Sequence, residues 1–395
     1  MTKVAGSEDY LSKELYSFLT KVNTKIWMRN LLVGKPKAVV RYHHKDNMKR
    51  LNNIYHRVHN MNNLYLAFIA SRKGKRYKKE VINFESSIGS NLFSLSKELS
   101  KKEYNPGSHY VFTVKEPKER VIMVPPFRDR VVHHCLCDNI LEPIFERHYV
   151  NSNFANRHRK GTHAALLVLK NQMRKLHMAS SLGYILKCDI SKYFYSINHD
   201  VLKFKIRRLI KDKDVLWLTD KIIDSTPGNV GIPIGNLTSQ LFANYYLSDM
   251  DHIIKEKLKI KHYVRYMDDF TLMHEDKKYL VYCKNYLIEY LKTIGLSFNQ
   301  KTQVFPLKNG VDFLGFHTYI TNTGKTIMKL RKQSIKRMKR KIKYFQRGYR
   351  EGLLNLEDIR SSVISWVGHA KHGNTYNLRK KILNRYYYAK ESEFK

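Results

Sequence analysis

Acid is what this chain is short of. Its 395 residues carry 73 Lys and Arg against 34 Asp and Glu, a formal net charge of +39. Such an excess repels itself unless a polyanion neutralises it, which points to nucleic acid as the partner. A basic surface kept only for solubility rarely demands so skewed a balance. Cysteine is scarce as well: Cys135, Cys137, Cys188 and Cys283 are too few for a disulfide scaffold and lack paired zinc-site spacing. His133 and His134 beside the first two make a tempting ligand set, but the run looks helical, and there residues two apart point to different faces. A reduced, cytoplasmic protein is expected. No stretch approaches the roughly 18 apolar residues that span a bilayer. Met1 to Tyr10 carries acids and no apolar core, so a signal peptide is not expected. Repeats and low-complexity linkers are missing too.

What is present supports a sizeable buried core: 43% of residues are hydrophobic and 12% aromatic. The length favours two or three subdomains sharing contacts. Turn signals fall at Asn105-Pro106-Gly107, Pro125-Pro126, Pro227-Gly228-Asn229 and Asn309-Gly310. Before about Lys102 the pattern is helical and polar, with a basic cluster at Arg72, Lys73, Lys75, Arg76, Lys78 and Lys79. Alternation predicts a hairpin of strands 111–114 and 121–124 around a charged turn, then a helix from Val131 to Phe145. Residues 184–189 read as a strand ending on the carboxylate of Asp189. Residues 263–266 and 270–273 read as two strands joined through Met267-Asp268-Asp269. Acids are common in exposed turns, yet the flanks here are apolar and aromatic enough to be buried. Arg331 to Arg350 holds ten Lys or Arg and no acid, with Ile335, Met338, Ile342 and Phe345 at helical intervals. That is an amphipathic helix with one basic face. On its own it suits solvent or a membrane surface as well as nucleic acid.

A strand-end acid and a hairpin carrying two more can meet at one point. Transfer of a phosphoryl group to a 3′-hydroxyl uses such a point. It needs two divalent ions about 3.5–4 Å apart, one activating the attacking oxygen and one neutralising the triphosphate. Hard ions of that kind prefer carboxylate oxygens, and Asp189, Asp268 and Asp269 supply them.

Tyr266-Met267-Asp268-Asp269 resembles the signature hairpin of reverse transcriptases. Lys187 to Phe194 is similar to that family's first catalytic block, and Gly231 to Asn244 to its template-binding block. Leu296 to Thr302, followed by Gly310 to Phe316, resembles its last two palm blocks, and all stand in family order between about Asn60 and Arg379. Arg120 to Glu146, Lys160 to Ala165, Ile234 to Gln240 and Gly368 to Thr375 most resemble bacterial reverse transcriptases of the diversity-generating retroelement type. Their relatives include group II intron, retron and phage-defence reverse transcriptases.

The resemblance implies an α+β, right-hand polymerase fold. Residues 1–100 would form a helical extension and the start of the fingers, 101–183 the fingers, 184–318 an antiparallel-sheet palm and 319–395 a basic helical thumb. It implies an RNA-directed DNA polymerase using two Mg²⁺ ions, with Mn²⁺ as a substitute. The implied partners are dNTPs, a structured or non-coding RNA template, its cDNA product, and an accessory protein or second reverse transcriptase, with no membrane. Asp189 and Asp268 would be the main metal ligands, Asp269 a support or a ligand to the second ion, and the Ile190 carbonyl a completing oxygen. Lys118 and Arg120 would clamp the triphosphate, and Phe194 would bar a 2′-hydroxyl. Gly235 would let backbone approach the templating pair, and Lys301 would protonate pyrophosphate. Arg157, Arg159 and Lys160 would hold template phosphates, beside Asn236, Ser239 and Gln240. Phe313, Leu314, Gly315 and Phe316 would seat the primer end, while Lys332, Lys336, Arg340 and Lys343 would grip the duplex. Ile234 stands where many reverse transcriptases carry glutamine, which removes a hydrogen bond to the templating nucleotide and implies looser base selection. In the diversity-generating group a branched aliphatic residue here accompanies error-prone copying at template adenines.

Two rival readings share these residues. An RNA-dependent RNA polymerase has the same palm but usually carries glycine before the paired acids and lacks the aromatic gate, so Phe194 and the Tyr266 hairpin argue against it. A silent RNA-binding scaffold has no physical reason to keep clustered, mutually repelling acids. Only 45 residues follow Arg350, so an RNase H domain is expected to be absent. Mutagenic retrohoming and phage defence both stay open as settings. The primer is open as well, since any of 27 tyrosines offers a hydroxyl.

Overall fold

A computed structural model describes residues 49–115, 119–180 and 182–391, with side chains to residue 384. The expected helices before residue 49, and Lys118, lie outside the described residues. The alternating stretch folds as a hairpin: β1 (Tyr110–Val114) pairs antiparallel with β2 (Arg120–Val124), from Tyr110↔Val124 to Val114↔Arg120. Every residue of β1 is exposed, so this ribbon gains little from apolar burial. Behind it, helices Met61–Arg72, Lys79–Ser86 and Phe127–Leu136 meet at a ring cluster. There Phe84 stacks on Phe68 at 5.8 Å and meets Phe127 edge-on at 5.2 Å.

The helix expected through Val131 to Phe145 is present but interrupted. Its path runs Phe127–Leu136, a π-turn Cys137–Leu141, then Glu142–Glu146. Pro143 explains the break: it has no N–H to donate, and its ring crowds the carbonyl four residues back, so the ladder loosens by one residue.

The centre is a four-stranded antiparallel sheet of β3 (Tyr184–Asp189), β4 (His262–Tyr266), β5 (Asp269–His274) and β6 (Gln303–Pro306), in the order β4-β5-β3-β6. Period-2 alternation sorts its side chains into two faces. Ile185, Val264 and Met273 face helix Thr162–Ala179, packing with Leu166, Leu169 and Met173. Tyr263 and Arg265 face the other way, toward Asp251 on helix Ser248–His252. Helix Lys277–Thr293 packs against β3, β5 and β6.

A second antiparallel sheet follows, of β7 (Val311–Phe313), β8 (Phe316–Ile320) and β9 (Thr326–Leu330). β8 runs through the boundary expected at 318–319. Phe313, Phe316, Met328 and Leu330 all join the core under helix Thr162–Ala179, together with Ala370 from a later helix. The basic helix occupies Lys332–Arg350. Met338, Ile342, Phe345 and Gly348 are its buried residues, and the first two pack with Ile382 of the last helix, Tyr376–Glu391.

Candidate active site

The β3–β5 register sets Asp189 directly opposite Asp269. The β4–β5 hairpin closes through Met267 and Asp268 alone, with Tyr266 paired to Asp269. Met267 has φ +57°, a left-handed conformation that glycine takes freely and that costs other residues about 1–2 kcal/mol. This tight turn lifts Asp268 to the end of the sheet where Asp189 ends β3.

Burial, and then the neighbouring Asp189 carboxylate, raise the pKa of Asp268, against Lys187 and Arg120, which favour its ionised form. Acids that oppose one another's ionisation suit a hard divalent cation, which inverts the local field. Among the described residues no group of three or more His, Cys, Asp or Glu is placed to hold a metal. Such ions in polymerase-type sites need only one or two carboxylates, with waters and substrate phosphates supplying the rest. Asp189 and Asp268 fit that requirement, with Ile190 directly after Asp189 in the chain.

Asp269 is engaged elsewhere. Lys187 lies two residues before Asp189, hence on the same face, and forms an ion pair with Asp269. The Lys187 ammonium also lies 4.9 Å above the Phe313 ring. Burial pulls its pKa down to about 8, opposed by Asp189 and Asp268 among others, so it stays largely charged at neutral pH. Lys187 carried no role in the sequence; its parity with Asp189 was the available signal.

Other expected residues fall at varied depths. Arg120 is exposed on β2. Phe194 is half-buried, with its carbonyl accepting from Ile232 N–H at 2.9 Å. Gly235 is exposed at φ +120°, and a Cβ there would lie 3.1 Å from Ile122 Cγ2. Within the protein, therefore, Gly235 makes room for β2. The carbonyl of Ile234 accepts from Met123 N–H at 3.1 Å, tying this loop to the hairpin. Lys301 is exposed, as are Lys332, Lys336, Arg340 and Lys343 along one side of the basic helix.

Three groups of expected contact residues are engaged or buried within the protein. Arg157 does not present its charge: it is ion-paired with Glu146, donates to the carbonyls of Val150 (2.7 Å) and Asn153 (3.0 Å), and its side chain is 5% exposed. It braces its own loop. Lys160 likewise donates to Asn151 O at 2.7 Å, leaving Arg159 the exposed cation of the trio. Asn236 and Ser239 are buried, with Gln240 half-buried. Phe313 and Phe316 pair across β7–β8 and sit in the core. The turn between them is half-buried: Leu314, at φ +46°, packs against the same core, and Gly315, at φ +89°, lies beside His369.

A sheet of this topology with two acids at one end defines the palm of a right-hand polymerase. Residues 113–318, more than half the chain, match the family described as reverse transcriptase (RNA-dependent DNA polymerase), and the chain belongs to that family. Protein YkfC of Escherichia coli (strain K12) is 26% identical over 183 residues, covering 44% of this chain and 48% of that protein. The group II intron-encoded protein LtrA of Lactococcus lactis subsp. cremoris is 26% identical over 163 residues, 38% of this chain and 25% of its own length. The chain thus spans less than half the length of either relative. Among solved structures, apo telomerase from Candida tropicalis truncated from its C-terminal domain aligns with 60% of each chain at 16% identity and a TM-score of 0.43.

Proposed function

We propose that the protein is an RNA-directed DNA polymerase that copies a structured or non-coding RNA into cDNA. The observation that carries this is the convergence of Asp189 and Asp268 at one end of the central sheet, within the field of Arg120. These two carboxylates would hold Mg²⁺, with Mn²⁺ as a substitute, and the Ile190 carbonyl would add an oxygen. Such ions, when bound, acidify a primer 3′-hydroxyl and offset the charge of the triphosphate. Arg120, with Lys118, orients the triphosphate. As the 3′-hydroxyl gives its proton to water and its oxygen bonds to the α-phosphorus, the bond to pyrophosphate breaks, and exposed Lys301 gives the leaving group a proton. Phe194 fills the space a 2′-hydroxyl would need, which selects dNTPs. Arg159 and Gln240 contact the template, the Leu314–Gly315 turn the primer end, and the four cations of the basic helix the duplex. In this arrangement residues 101–183 act as fingers, and the helices after Leu330 as thumb.

The setting we assign is a diversity-generating retroelement or a phage-defence system, acting in the cytoplasm with an accessory protein or a second reverse transcriptase. Ile234 supports it, because its side chain offers a templating base no hydrogen bond. Sequencing the nucleic acid that copurifies with wild type and with Asp268→Asn tests both levels. A defined RNA with complementary DNA on wild type, and RNA alone on the variant, establishes polymerisation. Adenine-biased errors in that DNA point to diversification, and faithful or repeated units to defence. If neither protein carries or makes DNA when given dNTPs and Mg²⁺, the polymerase assignment fails and an RNA-binding scaffold replaces it.

A further inference from the structure

Arg265 is the largest fully buried side chain among the described residues, and all of its donors are used. Nε donates to Asp251 Oδ1 at 2.7 Å, and Nη2 to Asp251 Oδ2 at 2.6 Å and Asn244 O at 3.2 Å. Nη1 donates to Asn244 Oδ1 at 3.1 Å and to Met267 O at 3.0 Å. Five N–H groups meet five acceptors, the full capacity of a guanidinium. The main chain of Arg265 is fixed as well, by Ser152 O on its N–H and by Phe154 N–H on its carbonyl, each at 2.9 Å. Asp251 also accepts from the Tyr263 hydroxyl at 2.6 Å, and Asn244 Nδ2 donates to Ala155 O at 2.7 Å.

A buried ion pair alone says little about purpose, since apolar residues can often replace one without loss of stability. The bond to Met267 says more. It reaches the carbonyl of the residue held left-handed at φ +57°, immediately before Asp268. The guanidinium plane is locked by Asp251 and Asn244, so the position of that carbonyl is locked too. We propose that Arg265, fixed by Asp251 and Asn244, is a positioning residue that pins the Met267 carbonyl and thereby sets the Asp268 carboxylate for metal binding. This rests on the polymerase reading of the site. It links helix Leu237–Tyr246, which follows the template loop, to the catalytic turn through one side chain.

Arg265→Lys keeps a cation for Asp251 but replaces the rigid five-donor fork with one compact ammonium, which loses the fixed geometry that reaches Asp251 and Met267 together. The test measures RNA-templated dNTP incorporation by the full chain, and Mn²⁺ binding by electron paramagnetic resonance without dNTP. Arg265→Lys is expected to lower kcat by about tenfold with KM for dNTP within twofold, and to weaken Mn²⁺ binding by about tenfold, which is about 1.4 kcal/mol. Glycine adopts the left-handed turn without strain, so Met267→Gly in the Arg265→Lys background should recover part of both losses. A purely structural arginine predicts no such recovery. Should Arg265→Lys not fold, Asn244→Ala takes its place. It keeps the Arg265–Asp251 pair and removes the amide oxygen that shares Nη1 with Met267, with a loss of about threefold expected in Mn²⁺ affinity. Mn²⁺ affinity within twofold of wild type in the folded variant overturns the proposal. If wild type binds Mn²⁺ but incorporates no dNTP, the polymerase reading falls, while the metal measurement still decides the role of Arg265.

Discussion

Replacing Lys187 with methionine removes the half-buried cation paired with Asp269 beside Asp189 and Asp268. Methionine keeps the length and still packs on Phe313, so the change is chiefly electrostatic. Removing one partner of a buried pair typically destabilises by about 3–5 kcal/mol. The Lys187 side chain is 17% exposed and that of Asp269 30%, so water partly solvates the orphaned acid and about 2–3 kcal/mol is the better figure. The loss should appear in urea unfolding in chelator, as a lower midpoint with an unchanged slope. Millimolar Mg²⁺ should then stabilise the variant more than wild type, because freed Asp269 adds a third carboxylate to the site and tighter binding to the folded state raises stability. Two results would refute this account. One is a chelated variant unfolding within about 0.5 kcal/mol of wild type. The other is an equal stabilisation of both proteins by Mg²⁺.

Three further outcomes are expected. Burial alone would raise the pKa of Asp249, but Lys205 and Arg208 override it and hold it at about 2. Its folded value therefore lies below its unfolded one, so about 2 kcal/mol of stability is present above roughly pH 4 and is lost as pH falls toward 2. Asp249→Asn should flatten the pH dependence of urea midpoints across that window. Replacing Lys332, Lys336, Arg340 and Lys343 together with alanine should make the salt dependence of duplex binding shallower by about 3–4 in log–log slope; an unchanged slope would remove the helix from the interface. Phe194→Val should raise the efficiency of ribonucleotide use relative to dNTP by about tenfold or more, and an unchanged ratio would leave its ring a plain core element.

Local pattern was a good guide where one strand or one helix decided the matter. The strand at 184–189, both strands of the Asp268 hairpin and the helix after Arg331 follow directly from alternation, apolar runs and three-four spacing. What could not be read depends on parity across strands or on distant partners. Lys187 meets Asp269 only because the β3–β5 register is what it is. Asp251 finds Arg265 across a π-turn and a change of direction that no periodicity encodes. Arg157 looked like a free cation until Glu146, eleven residues earlier, took it up. The phenylalanines around Leu314-Gly315 were assigned by family role, yet their pairing at the foot of a two-residue turn drives both rings inward. Conversely, Met267 in a left-handed turn runs against residue preference, and only the fold around it reveals what holds it there.

The hydrogen bond from Met123 N–H to the Ile234 carbonyl ties the exposed hairpin to the loop before helix Leu237–Tyr246, and Ile122 packs beside Gly235 in the same loop. A displacement of the ribbon would reach that loop through both contacts. In the function proposed above, closing on a triphosphate and seating the opposite base would then share one connection. Ile234, whose side chain offers a templating base no hydrogen bond, would leave the fit at that joint to shape.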